Sequence, residues 1–291
     1  MKKFFTLLVV AIFTATALIA QTVTKNYNFS GFDAINVSSI YDVHITKGNS
    51  NVIEVICSKA ISEYLNIYVS NGTLFLSTNR IPQKINKMNN EITVKMQMDK
   101  LNNVSMSGAS SLWVNGEYDS ETFKLSMSGA SDIKSPLNIN TTLLYSTLSG
   151  ASQAEVRGTF KQINSNNSGA ASIEISGSAQ TVIINASGAS DVEYEGNVEQ
   201  TCKIEGTGAA EVTLKGSVPT IEIKCSGAAN VDAKDMIAKT ATASASGASY
   251  IKVHGDDLLN LKTSGSSKIK YYGKAAQVNV QDNSIIRGSM D

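Results

Sequence analysis

Carboxylates recur at a fixed spacing in the middle of the chain. Glu155, Glu174 and Glu193 follow one another at intervals of 19 residues, and Asp191 and Glu211 hold a position two residues earlier in successive repeats. If the repeats stack as strands, neighbouring carboxylates lie roughly 5 Å apart at the backbone. This predicts a weak site for a divalent cation or a basic partner. The alternative is a solvated face whose side chains splay apart, because no carbonyl-rich loop completes a calcium shell.

Trp113 is the only tryptophan and a candidate ligand-binding residue. The alternation of apolar and polar residues around it predicts that its side chain faces outward. An exposed indole is a stacking platform for a sugar or another ring. The alternative is that the N-terminal segment folds over it and shields it from solvent.

The cysteines and histidines do not form a catalytic or metal motif. Cys57, Cys202 and Cys225 cannot all pair within one chain and do not have zinc-site spacing. We expect them to be buried small hydrophobes. His44 and His254 are the only histidines, and neither lies in a nucleophile or metal motif. The sequence therefore predicts no cofactor and no catalytic residue.

A short motif of the type Ser-Gly-Ala-Ser repeats nine times after residue 100, with 18 to 21 residues between successive copies. Its glycines are Gly108, Gly129, Gly150, Gly169, Gly188, Gly208, Gly227, Gly247 and Gly265. Such a period is typical of solenoid proteins. A flexible Gly/Ser linker is the alternative, and the residues between the motifs exclude it.

Those residues alternate as in a half-buried strand. Four residues after each marker glycine the side chain is apolar, and six residues after it is apolar or aromatic in eight of nine repeats. The fifth position is charged in seven of the nine, as with Glu174 between Ile173 and Ile175. A period of two predicts a strand with one face buried and one face in water.

A second glycine follows the marker by eight residues in seven repeats. Glycine adopts positive φ at no steric cost, so we expect a second corner there. A second strand then leads to the next marker, with an apolar residue four positions before it except at Ser146 and Ser165. Because neither strand can bury its apolar face within one repeat, the repeats must stack. We predict an all-β fold, a right-handed single-stranded parallel β-helix (solenoid) of about nine regular coils over residues 101–291, with corner serines hydrogen-bonded between coils.

Residues 21–100 lack the corner motif but contain strand-like runs separated by turn signals such as Asn71-Gly72. We interpret this segment as an N-terminal β-rich cap, because an open solenoid end exposes strand edges and an apolar core. A separately folding domain is the alternative.

Residues 1–20 have the pattern of a secretory signal peptide. Lys2 and Lys3 precede an apolar run from Phe4 to Ala20, and cleavage after Ala17 or Ala20 fits the small residues there. The run is short for a membrane anchor, and no later segment has the pattern of a transmembrane helix. We expect export to the periplasm, the outer cell surface or the medium.

The balance of 25 basic and 25 acidic residues argues against nucleic acid as a partner.

Three sequence segments resemble the head GIN domain family of putative autotransporter adhesins. They are Gly31-Phe32-Asp33-Ala34-Ile35, Tyr41 to Gly48 and Asn71-Gly72-Thr73-Leu74, followed by the serial corners. The resemblance implies an exported bacterial β-helical protein with an adhesive role, and it supplies no catalytic or binding residues.

The leading functional prediction is a cell-envelope or surface binding module that recognises a glycan or a surface protein. A polysaccharide-active enzyme is the alternative, but it would need clustered carboxylates with arginines and long loops. Arg157 and Arg287 are the only arginines after residue 100, and the near-constant coil length leaves little loop for a pocket. A third possibility is a structural module that forms homo-oligomers through the solenoid ends.

Overall fold

The computed structural model describes residues 22–86, 91–281 and 284–288. The segment 1–20, predicted to be the signal peptide, lies outside these residues. The chain forms stacked parallel coils, which confirms the predicted β-solenoid of about nine turns. Neighbouring coils pair in register over most of their length, as between residues 172–186 and 153–167. The register shifts locally in three later pairings, near Ala179, Asn197 and Thr213.

The strands of the N-terminal segment are β1 (Thr22–Asn28), β2 (Ala34–Val37), β3 (Tyr41–Lys47), β4 (Val52–Ser58), β5 (Leu65–Ser70), β6 (Thr73–Thr78) and β7 (Ile92–Met98). This segment also contains a 3₁₀ turn at Ile61–Glu63 and one helical turn, α1, at Gln83–Asn86. The strands of the regular coils are β8 (Asn103–Met106), β9 (Ser111–Asn115), β10 (Glu117–Met127), β11 (Asp132–Ile133), β12 (Leu137–Leu148), β13 (Gln153–Asn167), β14 (Ser172–Ala186), β15 (Asp191–Gly206), β16 (Glu211–Cys225), β17 (Asn230–Ala245), β18 (Tyr250–His254), β19 (Leu258–Thr263), β20 (Lys268–Tyr272), β21 (Gln277–Gln281) and β22 (Ile285–Arg287).

The marker glycines form a continuous backbone ladder at one corner of the solenoid. All nine have φ between +69° and +78°, a conformation that favours glycine. From Gly129 onward, the amide that follows each marker donates to the carbonyl oxygen of the marker glycine one coil earlier. This bond is 2.7 Å long from Ala130 and Gly108 through to Ser266 and Gly247. The corner motif is therefore explained by backbone contact between coils.

The corner serines use their hydroxyls in two ways. The last serine of a corner bonds within that corner, as Ser152 Oγ does to the carbonyl of Ser149 at 3.0 Å. Bonds between coils also occur, as from Ser187 Oγ to the Asn167 carbonyl at 3.2 Å. The predicted hydroxyl bonding between coils is thus present, but the backbone ladder is the regular connection.

The second glycines differ from the prediction at two positions. Gly158, Gly177 and Gly216 have positive φ, whereas Gly196 and Gly255 do not. At Gly196 a Cβ atom would lie 1.9 Å from the Gly177 carbonyl oxygen. Close approach of the preceding coil, rather than a positive φ, is the reason for glycine at that position.

The core runs along the solenoid axis and is formed by the inward side chains of both strands in each coil. Tyr118, Phe123 and Tyr194 are its bulkiest fully buried members after residue 100. The three cysteines are buried, as predicted, and all three are free thiols. Burial raises the pKa of the Cys202 and Cys225 thiols to about 12.

One polar chain interrupts this apolar core. Ser146 and Ser165 occupy a column that holds leucine and isoleucine in the neighbouring coils. Ser146 Oγ donates to Ser165 Oγ at 2.8 Å, and Asn167 Nδ2 donates to Ser165 Oγ at 2.9 Å. The bonds explain how two serines are tolerated at positions where the repeat calls for an apolar residue.

Parallel stacking continues into the N-terminal segment. Strands β2 and β3 lie between β6 and β7 on one side and β8 and β9 on the other. Ser39 has a φ of 85° and takes the place of a marker glycine, because its carbonyl accepts a bond from the Ala109 amide at 2.8 Å. The segment therefore contributes coils to the stack in addition to covering strands.

The covering strands are antiparallel. Strand β4 pairs with β7, β1 pairs with β4, and β5 pairs with β6. At the N-terminal end of the stack the pairing therefore changes from parallel to antiparallel, as expected for a cap. The division of the chain at residue 100 stays a prediction.

Candidate functional site

A row of outward side chains crosses five strands at the capped end. Strands β1, β4, β7, β3 and β9 lie side by side in that order, and their register sets one outward residue of each directly opposite the next. We call these residues the cross-strand row: Asn26, Glu54, Lys95, His44 and Trp113. At the usual strand spacing the row is about 19 Å long.

The local sequence explains why these side chains face outward. Val43 and Ile45 are buried on either side of His44, and Val94 and Met96 are buried on either side of Lys95. The period of two in a strand then places the central residue on the opposite face. An amide, a carboxylate, an ammonium group, an imidazole and an indole therefore follow one another on one surface.

Trp113 and His44 form a stacked pair at one end of the row. Their ring centroids are 6.0 Å apart and the rings are 6° from parallel. Asp42 Oδ2 lies 2.9 Å from His44 Nε2. Trp113 is 43% exposed, and the His44 side chain is 39% exposed. The indole is on the outer face, as the alternation predicts, and a histidine of the N-terminal segment covers one of its sides. Its role in ligand binding stays a prediction.

The row borders a shallow cleft of about 540 Å³. The cleft is lined by Asn26, His44, Thr46, Ser50, Val52, Glu54, Lys95, Met96 and Gln97. Most of these side chains can donate or accept hydrogen bonds. The Ser50 amide donates to Gln97 Oε1 at 3.3 Å, which joins two residues of this lining.

A second cleft of about 370 Å³ adjoins the first, since Ser50 and Gln97 line both. The loops that form it include Gly31, Asp33 and Gly72. The Asp33 amide donates to the Gly72 carbonyl at 3.1 Å, and Asn102 Nδ2 donates to Asp33 Oδ2 at 2.7 Å. The sequence segments that carry the family resemblance thus meet around one cleft.

The acidic side chains predicted as a column do lie in register on the outer face. Glu155 is opposite Glu174, Glu174 is opposite Glu193, and Asp191 is opposite Glu211. The burial of Asp191, together with the charges of Glu211 and Glu193, raises the pKa of Asp191. The structure therefore supports the predicted position of the acidic residues and does not test whether they bind a ligand.

Neighbouring basic side chains offset part of the negative charge of the acidic column. Arg157 pairs with Glu155, and Lys215 pairs with Glu193. Across the described ranges, no group of three or more His, Cys, Asp or Glu side chains is arranged to hold a metal ion. The proposal of a cation or basic partner at this column stays a prediction.

Sequence reasoning found Trp113 but missed Asn26, Glu54, Lys95 and His44. The alternation in Tyr41 to Lys47 and in Ile92 to Met98 was sufficient to place His44 and Lys95 outward. Their neighbourhood depends on the register of strands that are far apart in the chain, parallel for β3 with β7 and β9 and antiparallel for β4 with β7 and β1. No local pattern specifies that register.

The stacked coils define the class of the molecule as an all-β parallel solenoid with an antiparallel cap. The family described as "putative auto-transporter adhesin, head GIN domain" matches residues 31–213 and 178–275. These matches span most of the chain, and the chain belongs to that family. Membership of this family supports the interpretation of the chain as an adhesion-like surface module.

Solved structures of similar fold include proteins from two species of Parabacteroides. A putative adhesin from Parabacteroides distasonis is 16% identical, with a TM-score of 0.53 over 92% of this chain and 97% of that chain. A putative adhesin from Parabacteroides merdae is also 16% identical, with a TM-score of 0.51 over 93% of this chain and 98% of that chain. At this identity the likeness shows the fold.

No curated protein matches the chain. None of the helices in the described ranges is long and apolar enough to cross a membrane.

Proposed function

We propose that the chain is an exported, non-catalytic surface adhesion module that binds a glycan along the cross-strand row. The observation that supports this is the alignment of Asn26, Glu54, Lys95, His44 and Trp113 across five strands beside two adjoining clefts. Residues 1–20 supply the export signal in this proposal.

The chemistry of the row suits a sugar. Hydroxyl groups both donate and accept hydrogen bonds, and the row offers acceptors at Glu54, donors at Lys95 and both at Asn26. The indole of Trp113 adds an apolar surface for a sugar ring. A row about 19 Å long accommodates several sugar units, which favours an oligosaccharide over a monosaccharide.

The openness of the row favours binding over catalysis. Trp113 and His44 are both well exposed, so a sugar lying on them keeps one side in water. Enzymes that act on glycosidic bonds gain from excluding water from the reacting groups. Rigid strands that present polar side chains instead provide a fixed surface for recognition.

The test uses the intrinsic fluorescence of Trp113, which reports on the site because the chain has no other tryptophan. A panel of neutral and acidic oligosaccharides is titrated into the purified chain, and emission and acrylamide quenching are recorded. A bound glycan is expected to shift the emission and to protect the indole from quenching. Strong protection of Trp113 before any glycan is added would rule out the platform.

Substitutions then assign the binding to the row. Trp113→Ala and Lys95→Ala are expected to weaken binding of the responding glycan by about tenfold or more, or about 1.4 kcal/mol, in calorimetric titration. The matched control is Tyr145→Ala, because Tyr145 is 42% exposed and lies on the outer face of a different strand in the next coil. Equal affinities of Trp113→Ala and the parent chain would refute the proposed site.

A further inference from the structure

The last described coil has an unprotected strand edge. Strand β21 pairs with β19 and with no other strand in the described part of the chain, and all five of its residues are exposed. Val278 and Val280 are 37% and 48% exposed, although they continue the columns of the buried Leu259 and Leu261. Two inward-facing apolar side chains therefore lack a coil stacked on them.

The edge carries none of the features that usually prevent pairing. Edge strands are commonly protected by lysine, proline or a bulge. Strand β21 reads Gln-Val-Asn-Val-Gln, with no charge, no proline and no glycine. At the opposite end of the solenoid, the antiparallel strands β1, β4 and β5 cover the stack.

The sequence of β21 is a palindrome centred on Asn279. If two such strands pair antiparallel about Asn279, Gln277 lies opposite Gln281 of the second copy and Val278 lies opposite its Val280. Asn279 then meets its own equivalent. Each side chain faces one of the same character, which is the condition for a self-complementary two-fold interface.

We propose that two copies of the chain pair end to end through β21, across a two-fold axis at Asn279. The unpaired backbone groups of the two edges bond to each other, and the valines of both copies cover one another. Because the other end of each solenoid is capped, the assembly closes at two copies. This inference does not depend on glycan binding.

Such a dimer has a cross-strand row at each end of a rod of double length. Two rows on one particle raise the apparent affinity for a surface that carries many copies of a ligand. The arrangement therefore suits an adhesion module.

The test measures the mass of the purified chain by light scattering over a concentration series. The parent chain is expected to approach twice its monomer mass as concentration rises. Asn279→Lys and Asn279→Asp each place like charges opposite one another at the two-fold axis, so each variant alone is expected to remain monomeric. An equimolar mixture of the two variants is expected to dimerise, because lysine then faces aspartate.

The control is Thr242→Lys, which places the same charge in the same column two coils from the edge. It is expected to dimerise like the parent chain. Circular dichroism verifies that each variant is folded. A parent chain that stays monomeric at every concentration overturns the proposal, and so does a mixture of the two Asn279 variants that fails to pair.

Discussion

Asp191 lies directly opposite Glu211 on the next coil, and the two carboxylates share the outer face of the solenoid. The burial of Asp191, the charge of Glu211 and that of Glu193 together raise the pKa of Asp191 above its ordinary value of 3.8. The folded chain therefore holds this proton more tightly than the unfolded chain. Asp191 therefore lowers the free energy of unfolding progressively as pH rises from 3.8 through its raised pKa in the folded chain. Below 3.8 the residue is protonated in both the folded and the unfolded chain and has no such effect.

Asp191→Asn is expected to stabilise the protein by about 0.5 kcal/mol at neutral pH and low salt, since the carboxylate is only partly buried and solvent screens its charge. The gain should vanish below pH 3.8 and shrink in high salt. Urea denaturation at acid and neutral pH measures it. Asp232→Asn is the control, because Asp232 accepts a bond from Lys252 Nζ at 2.6 Å and its removal should bring no gain. Equal responses of the two variants would contradict the repulsion.

Charges introduced at inward positions are expected to unfold or aggregate the solenoid. Ile173 and Val212 are buried, and Ile173→Asp or Val212→Asp loses about 1.5–3 kcal/mol of burial and also places a carboxylate in the core. The neighbouring outward substitutions Glu174→Ala and Thr213→Ala should stay within about 0.5 kcal/mol of the parent chain. Thermal melting compares the two groups. Equal melting temperatures would disprove the assignment of the faces.

Gly188→Ala is expected to destabilise the chain more than Gly72→Ala. Both glycines have a φ near +70°, so both substitutions carry the left-handed strain of about 1–2 kcal/mol. A Cβ atom at Gly188 would also lie 2.9 Å from the backbone of Gly169, whereas at Gly72 the nearest atom is 3.9 Å away. Crowding between coils adds about 1–3 kcal/mol. Chemical denaturation measures the free energy of unfolding of both variants. Equal losses of stability would contradict the crowding and would mean that neighbouring coils can move apart to admit the methyl group.

Ser165→Ala is expected to cost about 1–3 kcal/mol, because it leaves the Ser146 hydroxyl and the Asn167 amide buried without their partner. The combined variant Ser146→Val, Ser165→Val and Asn167→Ala replaces the whole polar chain with residues like those of neighbouring coils. It should be at least as stable as the parent chain. Denaturation curves of both variants provide the measurement, and a combined variant less stable than Ser165→Ala would refute this account.

The regular coils were predictable because each one repeats the same local information. The marker glycines and the alternation around positions such as Ile173 and Glu174 specify a corner and an inside face without reference to distant residues. The coil formed by β2 and β3 was not predicted, because Ser39 occupies its corner position instead of glycine. Its insertion between β6–β7 and β8–β9 is a long-range arrangement that no periodic pattern encodes.

The site was predictable to a smaller extent. Trp113 could be placed on the outer face from alternation, and the acidic residues could be placed in a column from the repeat length. The neighbours of Trp113 come from four other strands, two of them antiparallel. His44 reaches the indole only because β3 stacks on β9, and Glu54 reaches Lys95 only through the pairing of β4 with β7.

The backbone ladder at the marker glycines makes each coil a unit of length. The bond from Ala189 to Gly169 and the bond from Ala209 to Gly188 have the same atoms and the same 2.7 Å separation. A duplicated or deleted coil would therefore meet matching donors and acceptors on both sides, whatever its outward residues are. The rod can lengthen or shorten during evolution in steps of about 4.8 Å. Its reach from the capped end can change in this way while the cross-strand row stays as it is.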